Sequence, residues 1–255
     1  MHGVAVKIRE DWVHGVLNIY NYNKPGKFDE YFKNIFECDE KLEGDIAEIG
    51  VFRGSSLLAT ALFLKEIGSK KKVYGFDSFS GFPSYHPKDD LKLFEDLRER
   101  NVISVEHYEK YKLNKELKEL AKGKVVDVST ISTSEDFSDN CYESLCRKID
   151  YLKLDNVELI KGRFEETMTS SSFKDLELSV ALIDCDLYSG YKTSLPFIWE
   201  RLSKGGYVYL DEYYSLKFPG ARIATDEFFS DKKDKPQMHK QIPGDFERWF
   251  VRKLN

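Results

Sequence analysis

The chain has 255 residues, of which 41% are hydrophobic and 33% are charged, and it contains 18 Phe and 15 Tyr. This composition excludes a disordered or collagen-like chain and is sufficient for one large α/β domain with its own core. The formal net charge of −5 argues against a nucleic-acid partner, because phosphates favour a basic protein face.

Signals for export, membrane insertion and metal-binding cysteines are weak. Apolar stretches such as residues 57–64 are far shorter than the roughly 20 residues of a membrane span. The first ten residues lack the apolar centre of a signal peptide. Four cysteines without CxxC spacing indicate neither a zinc site nor a disulfide framework. We therefore expect a reduced, cytoplasmic protein without a membrane partner.

The sequence predicts a single domain, residues 1–255, with two additions to its central sheet. Residues 1–43 are expected to form a helical extension, interrupted at residues 23–26 by a Pro-Gly turn. The pattern of strand, turn, helix and strand then starts, with strands at 45–49 and 72–76 and a helix at 56–67. Residues 84–155 are polar and are expected to form a helical insertion or lid. Its predicted helices cover residues 106–122 and 134–152.

The second half resumes the alternation. Strands are predicted at 157–160, 178–183 and 207–210, with helices at 190–202 and 221–229. Residues 237–242 and 246–253, joined by Pro243-Gly244, predict a closing hairpin. Together these elements predict an α/β fold with a Rossmann-like, doubly wound, mostly parallel sheet and a C-terminal antiparallel hairpin. Ligands bind such sheets at the carboxyl ends of the strands.

The first two strand ends favour a nucleoside ligand. Glu48 precedes a turn with Gly50 and Gly54, and its spacing is neither GxGxxG nor that of a P-loop. An acid in that place suits a ligand with a cationic amino group, although an ordinary tight βα turn would also explain the pattern. Asp77, after the second strand, is placed to accept hydrogen bonds from ribose hydroxyls. The alternative for Asp77 is a helix N-cap.

Acidic residues follow two later strands. Asp184 ends the apolar strand 178–183, and Asp211 and Glu212 end the strand 207–210. If these strands are neighbours, the three carboxylates converge at one rim and suit Mg²⁺ or a similar divalent ion. The alternative is that these carboxylates only cap the strand ends and point into water, without binding a ligand.

With these residues the chain resembles the class I S-adenosylmethionine-dependent methyltransferases, and among them the macrocin O-methyltransferase family. The matching segments are EIGVFRG at 48–54, DSFSGFP at 77–83, IDCDLY at 183–188, LSKGGYVYLDEY at 202–213 and ARIATDEF at 221–228. The family methylates sugar hydroxyls on macrolides and related natural products.

The resemblance implies a role for each matching residue. Glu48 and Gly50 would follow the methionine part of S-adenosyl-L-methionine, Asp77 would bind its ribose, and residues 162–164 would lie near the adenine. The full set of implied cofactor contacts is Glu48, Ile49, Gly50, Arg53, Gly54, Ser55, Asp77, Ser78, Gly162, Phe164 and Asp184.

The resemblance also implies a metal site and a base. Asp184, Asp211 and Glu212 would bind Mg²⁺, with Glu212 standing where the family usually has Asp. Asp186 would be the general base that acts together with Asp184. His86 and His107, in the insertion, are further candidates for a base or an acceptor contact.

We therefore expect a divalent-metal-dependent O-methyltransferase acting on a hydroxyl of a sugar or glycosylated natural product, working as a homo-oligomer. A catechol, a phenol or a nucleotide sugar is an alternative acceptor. A non-catalytic nucleoside-binding protein and a nicotinamide-dependent oxidoreductase are the alternatives from other classes. The acidic rim disfavours the first of these, and the glycine spacing disfavours the second.

Overall fold

The computed structural model describes residues 10–240 and 246–255. In these ranges the chain forms a seven-stranded sheet with the order β3-β2-β1-β4-β5-β7-β6. Strands β1 to β5 are parallel, and β7 is antiparallel to both β5 and β6. The strands are β1 (Asp45–Ile49), β2 (Val73–Asp77), β3 (Val157–Lys161), β4 (Leu178–Ile183), β5 (Leu202–Leu210), β6 (Gln237–Met238) and β7 (Trp249–Arg252). The predicted fold class is confirmed.

Helices connect the strands and cover both faces of the sheet. Those in the described ranges are α1 (Asp11–Leu17), α2 (Asp29–Asp39), α3 (Ser55–Glu66), α4 (Leu93–Glu99), α5 (Val105–Lys122), α6 (Tyr142–Leu152), α7 (Phe164–Thr167), α8 (Tyr188–Arg201) and α9 (Gly220–Phe229). None of them is long and apolar enough to cross a membrane.

The centre of the sheet is buried on both faces, as its sequence requires. Every residue of β4 is buried, because helices from both sides cover this continuous apolar strand. The helix α3 and the N-terminal α2 pack on one face, with Tyr31, Ile35 and Leu57 fully or almost fully buried. The helices α8 and α9 cover the other face. The strand order reverses between β1 and β4, so a crevice forms at their carboxyl ends.

The insertion has a small core of its own. Leu91, Phe94 and Tyr111 pack with Ile131 and with Phe218, which belongs to the loop after β5. The insertion is thereby fixed beside the carboxyl ends of the central strands.

One predicted helix differs from the structure, and one predicted hairpin lies partly outside the described residues. The helix predicted over 134–152 begins only at Tyr142, so the prediction is wrong for residues 134–141. There the Asp136 carboxylate accepts hydrogen bonds from the amide and hydroxyl of Ser138, and Glu135 and Phe137 adopt positive φ. Such side-chain bonds to nearby backbone compete with a helix. Strands β6 and β7 pair as the predicted hairpin requires, whereas Pro243-Gly244 lies outside the described residues.

Candidate active site

A cavity of about 380 Å³ opens at the carboxyl ends of the central strands. This volume lies within the roughly 300–1,000 Å³ that is usual for small-molecule sites. The turn after β1 forms one wall, residues after β2 and β3 form a second, and the acids after β4 and β5 form a third. The strand ends singled out in the sequence are therefore brought to one place.

The turn after β1, residues 50–54, is called the glycine turn here. Gly50 has a φ of 88°, and a Cβ at this position would overlap the carbonyl oxygen of Asp184. Only glycine combines this φ with so close an approach of two backbones. The glycine turn therefore lies directly against the end of β4.

Asp77 holds the glycine turn in position. Its Oδ2 accepts hydrogen bonds of 2.8 Å from the amides of Val51 and Phe52, and its Oδ1 accepts one of 2.7 Å from the amide of Phe79. Asp77 also lines the cavity. The carboxylate thus supports the backbone of the site, and its contact with a ribose stays a prediction.

Glu48 lies beneath the turn and does not belong to the cavity lining. It is fully buried, and its Oε1 accepts a hydrogen bond of 2.7 Å from the hydroxyl of Ser56, whereas Oε2 has no hydrogen-bond partner among the described residues. Burial raises the pKa of this carboxyl well above its ordinary value. A contact with the amino group of a ligand stays a prediction for this residue.

The other predicted cofactor residues divide into two groups. Ile49 and Gly54 are not part of the cavity lining, since Ile49 is fully buried in the core and Gly54 packs against Leu145. Those that do line the cavity are Gly50, Arg53, Ser55, Asp77, Ser78, Gly162, Phe164 and Asp184.

Four carboxyl groups, Asp184, Asp186, Asp211 and Glu212, form an acidic cluster in the wall at the ends of β4 and β5. Carboxylate oxygens of Asp184, Asp186 and Glu212 lie within 4.8 Å of one another. The parallel pairing of β4 with β5 explains this convergence, because the residues that follow the two strands lie side by side. The hydroxyl of Tyr191 accepts a hydrogen bond of 3.1 Å from the Glu212 amide and fixes the start of that turn.

Two lysines, which the sequence analysis missed, compensate the acidic cluster. Lys27 Nζ lies 3.0 Å from Asp211 Oδ2 and 3.9 Å from Asp184 Oδ2. Lys217 Nζ lies 2.8 Å from Asp186 Oδ1. Lys217 could have been found, because it follows Glu212 by only five residues in the same strand-end loop. No sequence spacing points to Lys27, which comes from the turn between α1 and α2.

Burial and the neighbouring charges shift the pKa values of the acidic cluster in opposite directions. Burial, with the neighbouring Asp211, raises the pKa of Asp184 to about 7. Burial and the other three acids raise the pKa of Glu212 well above its ordinary value. At Asp211 burial acts in the same direction, but the adjacent Lys27 outweighs it and the pKa is lowered. The cluster therefore holds more negative charge when a cation accompanies it.

Asp186 is presented by an unusual backbone conformation. Its φ is 58°, in the left-handed region, and the amide of Leu187 donates a hydrogen bond of 2.6 Å to the carbonyl of Cys185 across it. Aspartate tolerates this region better than most residues, at a cost of roughly 1 kcal/mol. The tight turn directs the buried Asp186 towards Lys217 and Glu212, next to the cavity.

The donor set fits a hard divalent cation. Three carboxylates converge at 4.8 Å or less, and carboxylate oxygens are the ligands that Mg²⁺ and Mn²⁺ take in proteins. Asp184 and Glu212 belong both to this converging set and to the predicted metal set. Asp211, the third predicted ligand, is paired with Lys27. Metal binding by Asp184, Asp211 and Glu212 stays a prediction.

The remaining wall is aromatic and comes partly from the insertion. Phe137 packs edge-on against Phe52 of the glycine turn and also contacts Phe82. Arg53 forms an ion pair with Asp139. His86 and His107 do not line the cavity.

The sequence that builds this site also matches a known protein family. A family model described as Macrocin-O-methyltransferase (TylF) matches residues 26–138 and 138–242, which is most of the chain. The chain belongs to this family. The match begins at the residue before Lys27 and includes all four members of the acidic cluster.

Two curated relatives agree with this membership. The Mycinamicin III 3''-O-methyltransferase of Micromonospora griseorubida is 25% identical over 201 residues, which is 76% of this chain and 66% of that enzyme. The Demethyldecarbamoylnovobiocin O-methyltransferase of Streptomyces niveus is 25% identical over 202 residues, covering 77% and 64%. The chain therefore spans just under two thirds of the length of each relative.

A solved structure gives the same result for the fold. The O-methyltransferase NovP superimposes with a TM-score of 0.59 at 20% identity, covering 89% of this chain and 80% of NovP. This similarity confirms the Rossmann-like sheet predicted from the sequence.

Proposed function

We propose that this protein transfers a methyl group from S-adenosyl-L-methionine to a hydroxyl of a sugar or glycosylated natural product, with a divalent cation at the acidic cluster. The observation that carries the proposal is the direct contact of two features in one cavity. The glycine turn lies against the carbonyl of Asp184, so the predicted nucleoside site and the acidic cluster adjoin within one cavity. Family membership supports the same chemistry.

The methyl donor would lie along the glycine turn. Its ribose would face Asp77, and its adenine would lie near Gly162 and Phe164, which line the cavity on the side of β3. S-adenosyl-L-methionine supplies a methyl group already activated on a sulfonium, so the protein has to align the acceptor and remove a proton. The glycine turn, which Asp77 holds through the amides of Val51 and Phe52, would position the donor methyl for this transfer.

Asp186 would take the proton of the acceptor hydroxyl. Lys217 binds its Oδ1 at 2.8 Å, and we assign the role of proton acceptor to Oδ2. An alcohol has a pKa far above neutrality, so a positioned carboxylate accelerates its reaction as a general base. Asp184, Asp211 and Glu212 would hold a divalent cation, which when bound lowers the pKa of the hydroxyl it coordinates.

The acceptor would occupy the aromatic side of the cavity. Two aromatic pairs line the cavity, Tyr20 with Phe28 and Phe82 with Phe137, and flat aromatic rings pack well against the apolar faces of sugar rings. The mycinamicin relative is named as a 3''-O-methyltransferase, which favours a glycosylated acceptor. The same aromatic wall would also admit a catechol or a phenol, so these belong in the test.

The test is a methyl-transfer assay on the purified chain with methyl-labelled donor. Acceptors are a set of deoxysugar glycosides, a set of nucleotide sugars and a set of catechols, each with Mg²⁺ and with EDTA. We expect label in a glycoside, an equal amount of S-adenosylhomocysteine, and loss of both with EDTA. Label in catechols alone would contradict the sugar assignment, and equal rates with EDTA would contradict the role of the cation.

A further inference from the structure

We propose that Lys27 is a built-in counter-ion of the acidic cluster that competes with the divalent cation and so sets the affinity of the site for it. This inference rests on the metal-dependent function proposed above. It assigns a purpose to a residue outside the strand-end motifs, in the turn between α1 and α2.

The position of the ammonium group is the first observation. Lys27 Nζ lies 3.0 Å from Asp211 Oδ2 and 3.9 Å from Asp184 Oδ2, and these are two of the three predicted metal ligands. A divalent cation on the same two carboxylates would stand within a few ångströms of the ammonium group. Like charges at such a distance repel strongly in a partly buried site. The ammonium group and the metal ion therefore exclude each other from this position.

The backbone that carries Lys27 is firmly held. The hydroxyl of Tyr209 donates a hydrogen bond of 2.8 Å to the carbonyl of Lys27, and the amide of Phe28 donates one of 3.3 Å to the hydroxyl of Tyr20. Phe28 is only 3% exposed. The side chain of Lys27 is thus presented to the acidic cluster by the core, and its position is not that of a loose surface lysine.

The side chain itself can leave without moving the backbone. Its exposed fraction is 39%, against 12% for Asp211. Four flexible methylene groups separate the ammonium from the fixed backbone, so rotation about side-chain bonds moves Nζ into solvent. Lys217 binds Asp186, which converges with Asp184 and Glu212 but is the proposed base and not one of the predicted metal ligands. We therefore assign the competition to Lys27 alone.

The pairing of Lys27 with Asp211 affects both the metal-free protein and the binding of the cation. The acidic cluster is partly neutralised without a metal ion, so the cavity keeps its shape when the ion is absent. Each binding event must also displace Lys27 from Asp211, which weakens the apparent affinity for the cation. Removal of the lysine charge should tighten cation binding and make the fold more dependent on the cation.

The test is calorimetric titration of Mn²⁺ into the full chain, as wild type, Lys27→Met and Lys24→Met. Lys24 is the matched control, because it comes from the same turn but pairs with the exposed Asp11. We expect Lys27→Met to bind Mn²⁺ about tenfold or more tightly than wild type, and Lys24→Met to bind it as wild type does. Lys27→Arg, which keeps the charge, should retain weak binding. Unchanged or weaker Mn²⁺ binding by Lys27→Met, or no binding by any variant, would overturn the inference.

A second readout protects against a poorly folded variant. Without Mn²⁺, Lys27→Met should melt at a lower temperature than wild type, and saturating Mn²⁺ should raise its midpoint by more than it raises that of wild type. Lys27→Gln replaces Lys27→Met if the latter does not fold. Equal midpoint shifts in wild type and variant would count against the inference. Titration of S-adenosylhomocysteine separates the two proposals: if it binds while Mn²⁺ does not, the inference fails and the nucleoside site stands, whereas no binding of it contradicts the proposed function itself.

Discussion

Asp186 combines three features that suit a base in the proposed reaction. It is buried, it follows β4 in a left-handed conformation, and Lys217 holds one of its oxygens at 2.8 Å. Strained backbone is common at functional sites, where it orients a side chain towards a reacting group. The geometry therefore makes Asp186 the residue whose removal should affect turnover most selectively.

We expect Asp186→Asn to lower turnover by about 100-fold or more, because an amide cannot accept the proton of the hydroxyl. The affinity for S-adenosylhomocysteine should stay within about twofold of wild type, since Asp186 is not among the predicted cofactor contacts. Label transfer and calorimetry measure the two quantities, and Asp231→Asn, at an exposed position paired with Lys232, is the control. Near-normal turnover by Asp186→Asn would remove the base assignment.

Gly50 offers a second test at this scale, with Gly68 as its control. Both have positive φ, 88° and 73°, but a Cβ at Gly68 would meet nothing within 4 Å. Gly68→Ala should therefore cost about 1 kcal/mol of unfolding free energy, from φ alone. Gly50→Ala should cost about 1–3 kcal/mol more, because the Cβ displaces the carbonyl of Asp184, and it should weaken nucleoside binding. Equal losses in urea unfolding would show that the close contact is not needed.

The acids and glycines of the site are predictable from the sequence because they follow strands directly. Strand ends can be predicted from local sequence patterns, and the sheet topology brings the residues at these ends together. Lys27 could not be found in this way, since 184 residues separate it from its partner Asp211. Its place depends on the packing of the turn between α1 and α2 against Tyr209, which no local spacing encodes.

The elements that hold the site in shape are the insertion and the loop after β5. His107 of α5 lies with Nε2 2.7 Å from the carbonyl oxygen of Ser215, and Asn114 donates a hydrogen bond of 2.8 Å to that of Leu216. His107 is also stacked on Tyr214, with ring centroids 4.0 Å apart. The same loop carries Lys217, so α5 supports the partner of the proposed base.

This contact predicts a dependence of stability on pH. Burial lowers the pKa of His107 to about 4, below its ordinary value of about 6.5. The folded state therefore favours the neutral ring, and the stabilisation is present above about pH 6.5 and is lost as the pH falls towards about 4. Between about pH 7 and pH 5 the unfolding free energy should fall by about 1–2 kcal/mol more in wild type than in His107→Gln. Equal slopes for the two proteins in urea titrations would contradict this.

Elements with regular patterns were predicted best. The bounds of β1 and β4 agree with the prediction, because β1 ends directly before Gly50 and β4 is a short, nearly all-apolar run. The segment 134–141 was predicted as helix and is not, because Asp136 bonds to Ser138 and competes with helical hydrogen bonds. Helix α4 was not predicted, and its packing against α5 is a tertiary effect.

At the scale of the whole molecule, the fold places chemistry where the strand order reverses. The crevice between β1 and β4 brings the glycine turn next to the acidic cluster, and the insertion adds an aromatic wall. Membership of the macrocin O-methyltransferase family agrees with this arrangement. The proposed function depends above all on the binding of the methyl donor in the cavity along the glycine turn.

Calorimetric titration of S-adenosylhomocysteine into the purified chain tests that claim most directly. We predict binding of one molecule per chain with a dissociation constant in the micromolar range, both with Mg²⁺ and with EDTA, because the glycine turn does not need the cation. Gly50→Ala should bind more weakly under both conditions, and Gly68→Ala should bind as wild type does. No heat of binding by folded wild-type protein in either buffer would contradict the account.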